Sequence, residues 1–156
     1  MKRIFLMVSF FSFIAGLFSP NASAADYKVT EAYSGLRNMV LSTKPDSIGV
    51  KLKDTNEVWG VVMETGYPEA VASLVALADG TVSLYFSNGG GIIGLGPRAG
   101  PHRAAQSLLA ASQQFSIQTQ PIKSYPLPRP SFTRFYLLTG NGVLTPCVRL
   151  VVASRF

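Results

Sequence analysis

The sequence predicts an α+β domain: a mainly antiparallel five-stranded sheet with two helices packed on it. The chain has 156 residues and is 47% hydrophobic, which is enough for one packed core and argues against a wholly disordered chain. Two segments carry apolar residues at the three-to-four spacing of an amphipathic helix. Shorter apolar runs are separated by Asp-Gly and Gly-Asn-Gly, which are hairpin signals. These three observations predict the fold class.

The first 24 residues have the composition of an export signal. A basic start, Met1-Lys2-Arg3, is followed by an apolar run of 15 residues from Ile4 to Phe18 and by the small-residue site Ala22-Ser23-Ala24. A spanning helix needs about 20 apolar residues, so cleavage after Ala24 is favoured over an uncleaved anchor. We therefore expect a signal peptide at residues 1–24, one domain at residues 25–156, a periplasmic or secreted location and no stable membrane span after cleavage.

The first helix is predicted in residues 26–41, where apolar residues recur every three or four positions. Thr30 is placed to cap the helix, and Glu31 suits the positive end of the helix dipole. The helix is expected to end before Pro45, because the residue before a proline avoids the helical region. A loop is expected from there to about Glu57.

Three strands are predicted next, at residues 58–63, 70–77 and 81–86. Thr65-Gly66-Tyr67-Pro68 separates the first two strands, and Asp79-Gly80 separates the second from the third. Asp-Gly between two strand-like runs is a strong hairpin signal, because both central turn positions favour positive φ. We expect these strands to form an antiparallel meander.

The rest of the chain predicts a helix and two further strands. The helix begins at Pro101, and its inner face would be Ala104, Ala105, Leu108, Leu109, Ser112 and Phe115. Residues 120–131 contain four prolines and are expected to be extended. Strands at 132–139 and 143–152 flank a Gly140-Asn141-Gly142 turn, and Pro146 makes the end of the last strand an edge or irregular. This order of elements resembles the profilin-like and roadblock-like scaffolds, which implies a platform for binding or dimerisation.

Two segments resemble a family of uncharacterised small bacterial proteins. They are VWGVVMETGYP at residues 58–68 and SLYFSNGGGIIG at residues 83–94. The likeness extends over roughly residues 33–111 and returns around residues 134–145. The resemblance implies common descent and carries no assigned activity.

A glycine-rich segment after the third strand is the main candidate binding site. Gly89, Gly91 and Gly94 match G-x-G-x-x-G, but the antiparallel sheet, the late helix and the lack of a downstream acid argue against a dinucleotide site. A structural bulge or tight crossover is one interpretation. The other is a binding loop whose large apolar residues are covered by a partner. The candidate residues are Gly89, Gly90, Gly91, Ile92, Ile93 and Leu95.

Arg98, His102 and Arg103 lie where the second helix is predicted to begin. Free backbone amides, the helix dipole and two guanidinium groups suit a carboxylate or a phosphate. Together with the glycine-rich loop they predict, as an alternative function, a site for a small anionic ligand. A solvated helix start with ordinary surface charges is the simpler interpretation.

The sequence offers little for catalysis or metal binding. His102 is the only histidine, no motif places a serine at a nucleophile elbow, and one cysteine with one histidine cannot build a zinc site without carboxylates. The acids near strand ends, Glu57, Glu64, Glu69 and Asp79, are interpreted as solvated turn residues. We expect no catalytic residues, no metal and no cofactor, and a hydrolase-type enzyme is the less favoured alternative.

Three further features have structural interpretations. Cys147 is interpreted as a small buried hydrophobe, with a disulfide between two subunits as the alternative. The proline-rich residues 125–130 are interpreted as a rigid connector rather than as a ligand for a proline-binding module. Trp59 is assigned to the core.

Charge is unevenly distributed along the chain. Cleavage of the signal would remove two of 14 basic residues and leave 12 against 8 acidic residues, a net charge of +4. Every acidic residue lies at or before Asp79, and the basic residues from Arg98 onward are scattered. Scattered charges argue against nucleic acid as a partner, and weak attraction to an anionic envelope surface stays open. The sequence favours an exported, non-enzymatic module that binds a protein partner or a second copy through the glycine-rich loop and a sheet edge.

Overall fold

A computed structural model describes residues 26–146. Helix α1 covers Glu31–Ser42 and α2 covers Ala99–Phe115, and each is followed by a short 3-10 turn, at Pro45–Ile48 and Ser116–Gln118. The strands are β1 (Val58–Gly66), β2 (Val71–Leu77), β3 (Val82–Phe86), β4 (Gly91–Ile92), β5 (Thr119–Pro121), β6 (Thr133–Thr139) and β7 (Gly142–Pro146). The predicted signal peptide, Cys147 and the end of the strand predicted at 143–152 lie outside the described residues.

The strands form one sheet of seven, in the order β4-β3-β2-β1-β6-β7-β5, and these neighbours pair antiparallel. The prediction of an α+β fold with two helices and an antiparallel sheet is confirmed. The prediction of five strands is wrong, because β4 and β5 add one short strand at each edge. β4 and β5 have only two and three residues, too few to show an alternation of apolar and polar side chains. They are strands only because they pair with β3 and β7.

The predicted meander is confirmed in β1, β2 and β3. Val62 of β1 lies opposite Val75 of β2, which in turn lies opposite Ser83 of β3. At the second turn the Leu77 N–H donates to the Thr81 carbonyl oxygen over 2.9 Å, and Gly80 has a φ of 92°. The predicted hairpin is therefore present, but only Gly80 of the Asp-Gly pair has a positive φ, so the expectation of positive φ at both central positions is wrong.

The two helices lie on opposite faces of the sheet. Successive residues of a strand point to opposite faces, and Val61 and Val62 belong to different buried clusters. Val62 clusters with Tyr33 of α1, whereas Leu108 of α2 packs against the cluster of Val61. We call these the α1 face and the α2 face.

Helix α1 begins where its capping residue predicts. The Thr30 hydroxyl accepts a hydrogen bond from the Tyr33 N–H over 3.3 Å, and Glu31 lies in the first turn. The helix ends at Ser42, after which the Thr43 N–H bonds the Val40 carbonyl. Local capping chemistry therefore fixes the start of this helix.

Helix α2 begins at Ala99, two residues before the predicted Pro101. A proline is tolerated in this first turn because its missing N–H would have no helical partner. Ala105 and Ser112 are buried as predicted, but Ala104 is exposed and Phe115 is 57% exposed. The face that α2 buries is therefore narrower than the periodicity indicated.

The proline-rich connector between β5 and β6 lies on the α1 face. Tyr125 and Leu127 pack against the buried cluster of that face. The Tyr27 hydroxyl donates to the Pro128 carbonyl over 2.9 Å. The connector thus closes the core beside α1.

Candidate functional site

The glycine-rich segment forms the turn between β3 and β4. The Gly89 N–H donates to the Phe86 carbonyl over 3.0 Å, and the Phe86 N–H donates to the Gly90 carbonyl over 3.2 Å. Gly89 and Gly90 have φ values of 110° and 83°, which favour glycine. At Gly91 a Cβ would lie 2.5 Å from the Leu84 carbonyl oxygen. The glycines therefore allow a tight hairpin turn. The strand that follows this turn is β4, and α2 begins only at Ala99, so the turn does not lead directly into a helix whose N-terminus could bind a phosphate.

This hairpin exposes large apolar side chains at the edge of the sheet. Ile92 and Ile93 are 54% and 66% exposed, and Phe86 is 37% exposed. Ile92 lies opposite the half-buried Leu84, so both are on the α2 face. We call Leu84, Phe86, Ile92 and Ile93 the apolar edge.

Leu95 has a different role from its neighbours in the segment. Its side chain is half-buried and packs against the cluster of Ala76, Val82 and Ala105. Its N–H donates to the Val82 carbonyl over 2.9 Å. Leu95 therefore belongs to the packing of α2 on the sheet, and substituting it would disturb the fold as well as any surface.

A small cavity lies between the glycine-rich turn and α1. Its volume is about 170 Å³, and Tyr33, Leu36, Tyr85 and Ile93 are among its lining residues. Sites for small molecules usually have about 300–1,000 Å³. This recess therefore suits one apolar side chain of a partner better than a whole ligand.

The candidates Arg98, His102 and Arg103 lie near the other end of β3. Arg98 is the N-cap of α2, Arg103 is exposed, and His102 is half-buried. A Cβ on Gly80, in the β2–β3 turn, would lie 3.8 Å from the His102 ring. The five residues of β3 span about 13 Å and separate this group from the glycine-rich turn. The structure thus does not bring together the two halves of the predicted anionic-ligand site.

Glu64 lies in a buried network, and its interpretation as a solvated turn residue is wrong. β1 continues to Gly66, so Glu64 lies within the strand, and its side chain is 0% exposed. Arg37 of α1 donates from Nε to Oε1 over 2.6 Å and from Nη2 to Oε2 over 2.9 Å. Arg37 also donates to the Tyr125 carbonyl over 2.8 Å, and Ser73 Oγ donates to Glu64 Oε1 over 3.2 Å. A bidentate ion pair therefore joins α1, β1, β2 and the connector.

The surroundings of this ion pair keep three tyrosines protonated. Burial, and then the charge of Glu64, raise the pKa of Tyr33 and of Tyr136 to about 12. Burial, the charge of Tyr33 and then that of Glu64 raise the pKa of Tyr85 to about 12. For Arg37 burial alone would lower the pKa, but the hydrogen bonds and charge of Glu64 raise it. The network is a closed set of donors and acceptors that stabilises the fold and presents no accessible acid or base.

The other three acids differ from Glu64. Glu69 and Asp79 are exposed in turns, and the Asp79 carboxylate accepts from the Thr81 N–H over 2.9 Å. Glu57 is half-buried and accepts from the Lys53 N–H over 2.7 Å. Glu69 and Asp79 are therefore exposed turn residues, as the sequence predicted, whereas Glu57 is half-buried and orders the loop before β1.

Comparison of the chain with protein-family models, with curated proteins and with solved structures found no match. The resemblances to a bacterial family and to profilin-like and roadblock-like scaffolds therefore stay predictions. Within residues 26–146, no helix combines the length and the apolar composition needed to cross a membrane.

Proposed function

We propose that this chain is an exported, non-enzymatic interaction module that binds a second copy of itself through the apolar edge. One observation carries the proposal: exposed Phe86, Ile92 and Ile93 surround an edge strand whose outer side pairs with no strand of the described residues. An unpaired edge strand presents N–H and C=O groups that pair readily with another chain.

The charge distribution favours a second copy as the partner. Residues 80–97, which include the whole apolar edge, contain no Lys, Arg, Asp or Glu. Two such edges can approach each other without local repulsion between like charges, although the chain as a whole is basic. A partner selected by charge would find no complementary group here. Apolar contact and strand pairing are therefore the interactions that this surface offers.

The size of the apolar edge supports a concentration-dependent dimer rather than a permanent one. Its exposed side chains present roughly 300 Å² of apolar area, whereas a stable interface buries about 800 Å² on each partner. The cavity of about 170 Å³ beside the turn adds a recess for one side chain of the partner. Both features support a specific contact of modest affinity.

Sedimentation velocity over a concentration series tests the proposal. The wild-type chain is expected to show a sedimentation coefficient that rises with concentration, and Ile92→Asp is expected to stay monomeric because it places a charge in the middle of the contact. Ile117→Asp is the matched control, since Ile117 is 87% exposed on the 3-10 turn after α2. It should associate as the wild type does.

Two results would contradict the proposal in different ways. A wild-type chain that is monomeric at every concentration rules out self-association. A dimer that Ile92→Asp leaves unchanged, with an unchanged melting temperature, rules out the apolar edge as its contact.

Export is a separate part of the proposal and needs its own measurement. Native mass spectrometry of the protein purified from its own cells is expected to give the mass of residues 25–156. A mass that includes residues 1–24 would contradict cleavage of the signal.

A further inference from the structure

We propose that Asn88, in the glycine-rich turn, is a site of spontaneous deamidation that places a carboxylate beside the apolar edge. The chain contains two Asn-Gly pairs, Asn88-Gly89 and Asn141-Gly142. A glycine after an asparagine favours this reaction, because no Cβ hinders the approach of the glycine nitrogen to the asparagine side chain. The surroundings of the two pairs decide which of them reacts.

The reaction needs no enzyme and no reactant other than water. The Gly89 backbone nitrogen loses its proton and attacks Cγ of Asn88. A bond forms between that nitrogen and Cγ, the bond between Cγ and Nδ2 breaks, and ammonia leaves with the proton. Water then opens the cyclic succinimide at either carbonyl group, which gives aspartate or isoaspartate. The net change is hydrolysis of an amide to a carboxylate and ammonium, with no oxidation or reduction.

The two Asn-Gly pairs lie in similar settings. Each pair belongs to a hairpin turn, between β3 and β4 or between β6 and β7. The glycine φ is 110° at Gly89 and 108° at Gly142. Asn88 and Asn141 are both exposed. The glycine conformation and the access of water therefore do not distinguish the two pairs.

Hydrogen bonds hold the side chain of Asn141 but not that of Asn88. Asn141 Nδ2 donates to Asn56 Oδ1 over 2.9 Å and to Thr55 Oγ1 over 3.2 Å, and the Asn141 N–H donates to the Thr55 carbonyl over 3.1 Å. The Asn88 side chain has no hydrogen-bond partner among residues 26–146, so it can turn toward the Gly89 nitrogen. Attack at Asn141 must first break the hydrogen bonds of its side chain.

The backbone after Asn88 is weakly held. Ser87 is buried, whereas Asn88, Gly89 and Gly90 are exposed. The Gly89 N–H donates to the Phe86 carbonyl over 3.0 Å, and β4 beyond the turn has only two residues. Exposed hydrogen bonds with little packing around them open readily. Opening this hydrogen bond frees the Gly89 nitrogen for the attack.

The new carboxylate would act on the apolar edge. It would lie within residues 80–97, which contain no Lys, Arg, Asp or Glu, two positions after Phe86. Two copies that meet through this edge would then bring like charges together. Isoaspartate would also lengthen the main chain of the turn that brings β4 to β3. Deamidation therefore weakens self-association, a consequence that rests on the proposed function.

Peptide mass spectrometry of the full chain tests the modification by itself. Trypsin cleaves after Lys and Arg, so Asn88 lies in the peptide of residues 54–98 and Asn141 in that of residues 135–149. Fragmentation distinguishes Asn88 from Asn56 in the first peptide. The folded chain is incubated in mildly alkaline buffer made with heavy-oxygen water, which labels the new carboxylate.

Asn88 is expected to react about tenfold faster than Asn141 in the folded chain, because only Asn141 must break side-chain hydrogen bonds. In urea, where both turns are open, the two residues should react at similar rates. The absence of labelled product at residue 88, or equal rates in the folded chain, overturns the proposal.

Asn56→Ala tests the reason for the difference between the two pairs. It removes one acceptor of the Asn141 amide, so it should raise the rate at Asn141 and leave the rate at Asn88 unchanged. An unchanged rate at Asn141 would contradict protection by these hydrogen bonds.

Sedimentation velocity of two variants tests the effect on self-association. Asn88→Asp carries the charge of the product, and Asn88→Ser is the uncharged control. Asn88→Asp is expected to raise the dissociation constant of the dimer several-fold, whereas Asn88→Ser should associate as the wild type does. Equal association of the two variants overturns the effect on the apolar edge. A wild-type chain that stays monomeric refutes the proposed function instead, and the peptide rates still decide whether Asn88 is the modified residue.

Discussion

Arg37→Met is expected to be among the most destabilising single substitutions in the described part of the chain. The guanidinium group makes two hydrogen bonds to Glu64 and one to the Tyr125 carbonyl. Its removal leaves a carboxylate with 0% exposure, for which Ser73 is the remaining donor. Methionine fills a similar volume, so the substitution tests the charge rather than the packing.

The expected loss follows from the burial of Glu64. Removing one partner of a buried ion pair costs about 3–5 kcal/mol, because the other charge stays desolvated. Domains of this size unfold with about 5–15 kcal/mol. Arg37→Met should therefore remove about a fifth or more of the free energy of unfolding. Replacing both partners, as Arg37→Met with Glu64→Leu, should recover most of the loss, since buried pairs and apolar residues of similar volume are often equivalent.

Urea unfolding followed by the fluorescence of Trp59 measures the four free energies of this double-mutant cycle. Arg103→Met is the control: Arg103 is exposed, and its substitution should change stability by less than about 0.5 kcal/mol. A loss below about 1 kcal/mol for Arg37→Met, or a double variant as unstable as the sum of the single variants, would refute the reasoning.

Two further predictions concern backbone space and alkaline pH. Gly66→Ala should cost about 3 kcal/mol, because its Cβ would overlap the Arg129 carbonyl oxygen and lie 2.5 Å from the Tyr27 hydroxyl. Gly35→Ala, in α1 with no atom within 4 Å of the added Cβ, should instead raise the free energy of unfolding by up to about 1 kcal/mol. Equal changes in the free energy of unfolding for the two variants, measured by urea titration, would contradict this prediction. The second prediction is a fall in stability above pH 10, because the unfolded chain releases tyrosine protons near pH 10 that the folded chain holds to about pH 12. Below pH 10 the stabilisation from these raised pKa values is fully present. Between pH 10 and pH 12 each such tyrosine lowers the free energy of unfolding by about 1.4 kcal/mol per pH unit. Urea titrations at pH 9, 10 and 11 measure it, and a flat profile would exclude it. The tyrosines concerned are Tyr33, Tyr85 and Tyr136.

The elements that could be predicted from the sequence are those with local signals. The Asp79-Gly80 turn and the Thr30 cap act within a few residues, and both are present in the structure. β4 and β5 have two and three residues, too few for a period, and their pairing depends on where distant strands lie. The five-strand prediction failed for that reason.

Glu64 shows why the buried network could not be predicted in the same way. Its partner Arg37 is 27 positions away on another element, so the pair exists only once α1 has packed on β1. One local signal was present: in an alternating strand, Glu64 shares a face with Val62, which is a core residue. The strand predicted from the sequence ends at Met63. Glu64 was therefore placed in the following turn, where side chains are expected to be solvated.

The position of α1 links the ion pair to the recess beside the glycine-rich turn. Tyr33 and Leu36, in the N-terminal half of α1, line that recess. Arg37 follows Leu36 in the chain and fixes the helix to the sheet through Glu64. Loosening α1 should therefore disturb the recess as well as the core. If Arg37→Met weakened both self-association and stability while Arg103→Met changed neither, the buried ion pair would position the surface through which two copies meet.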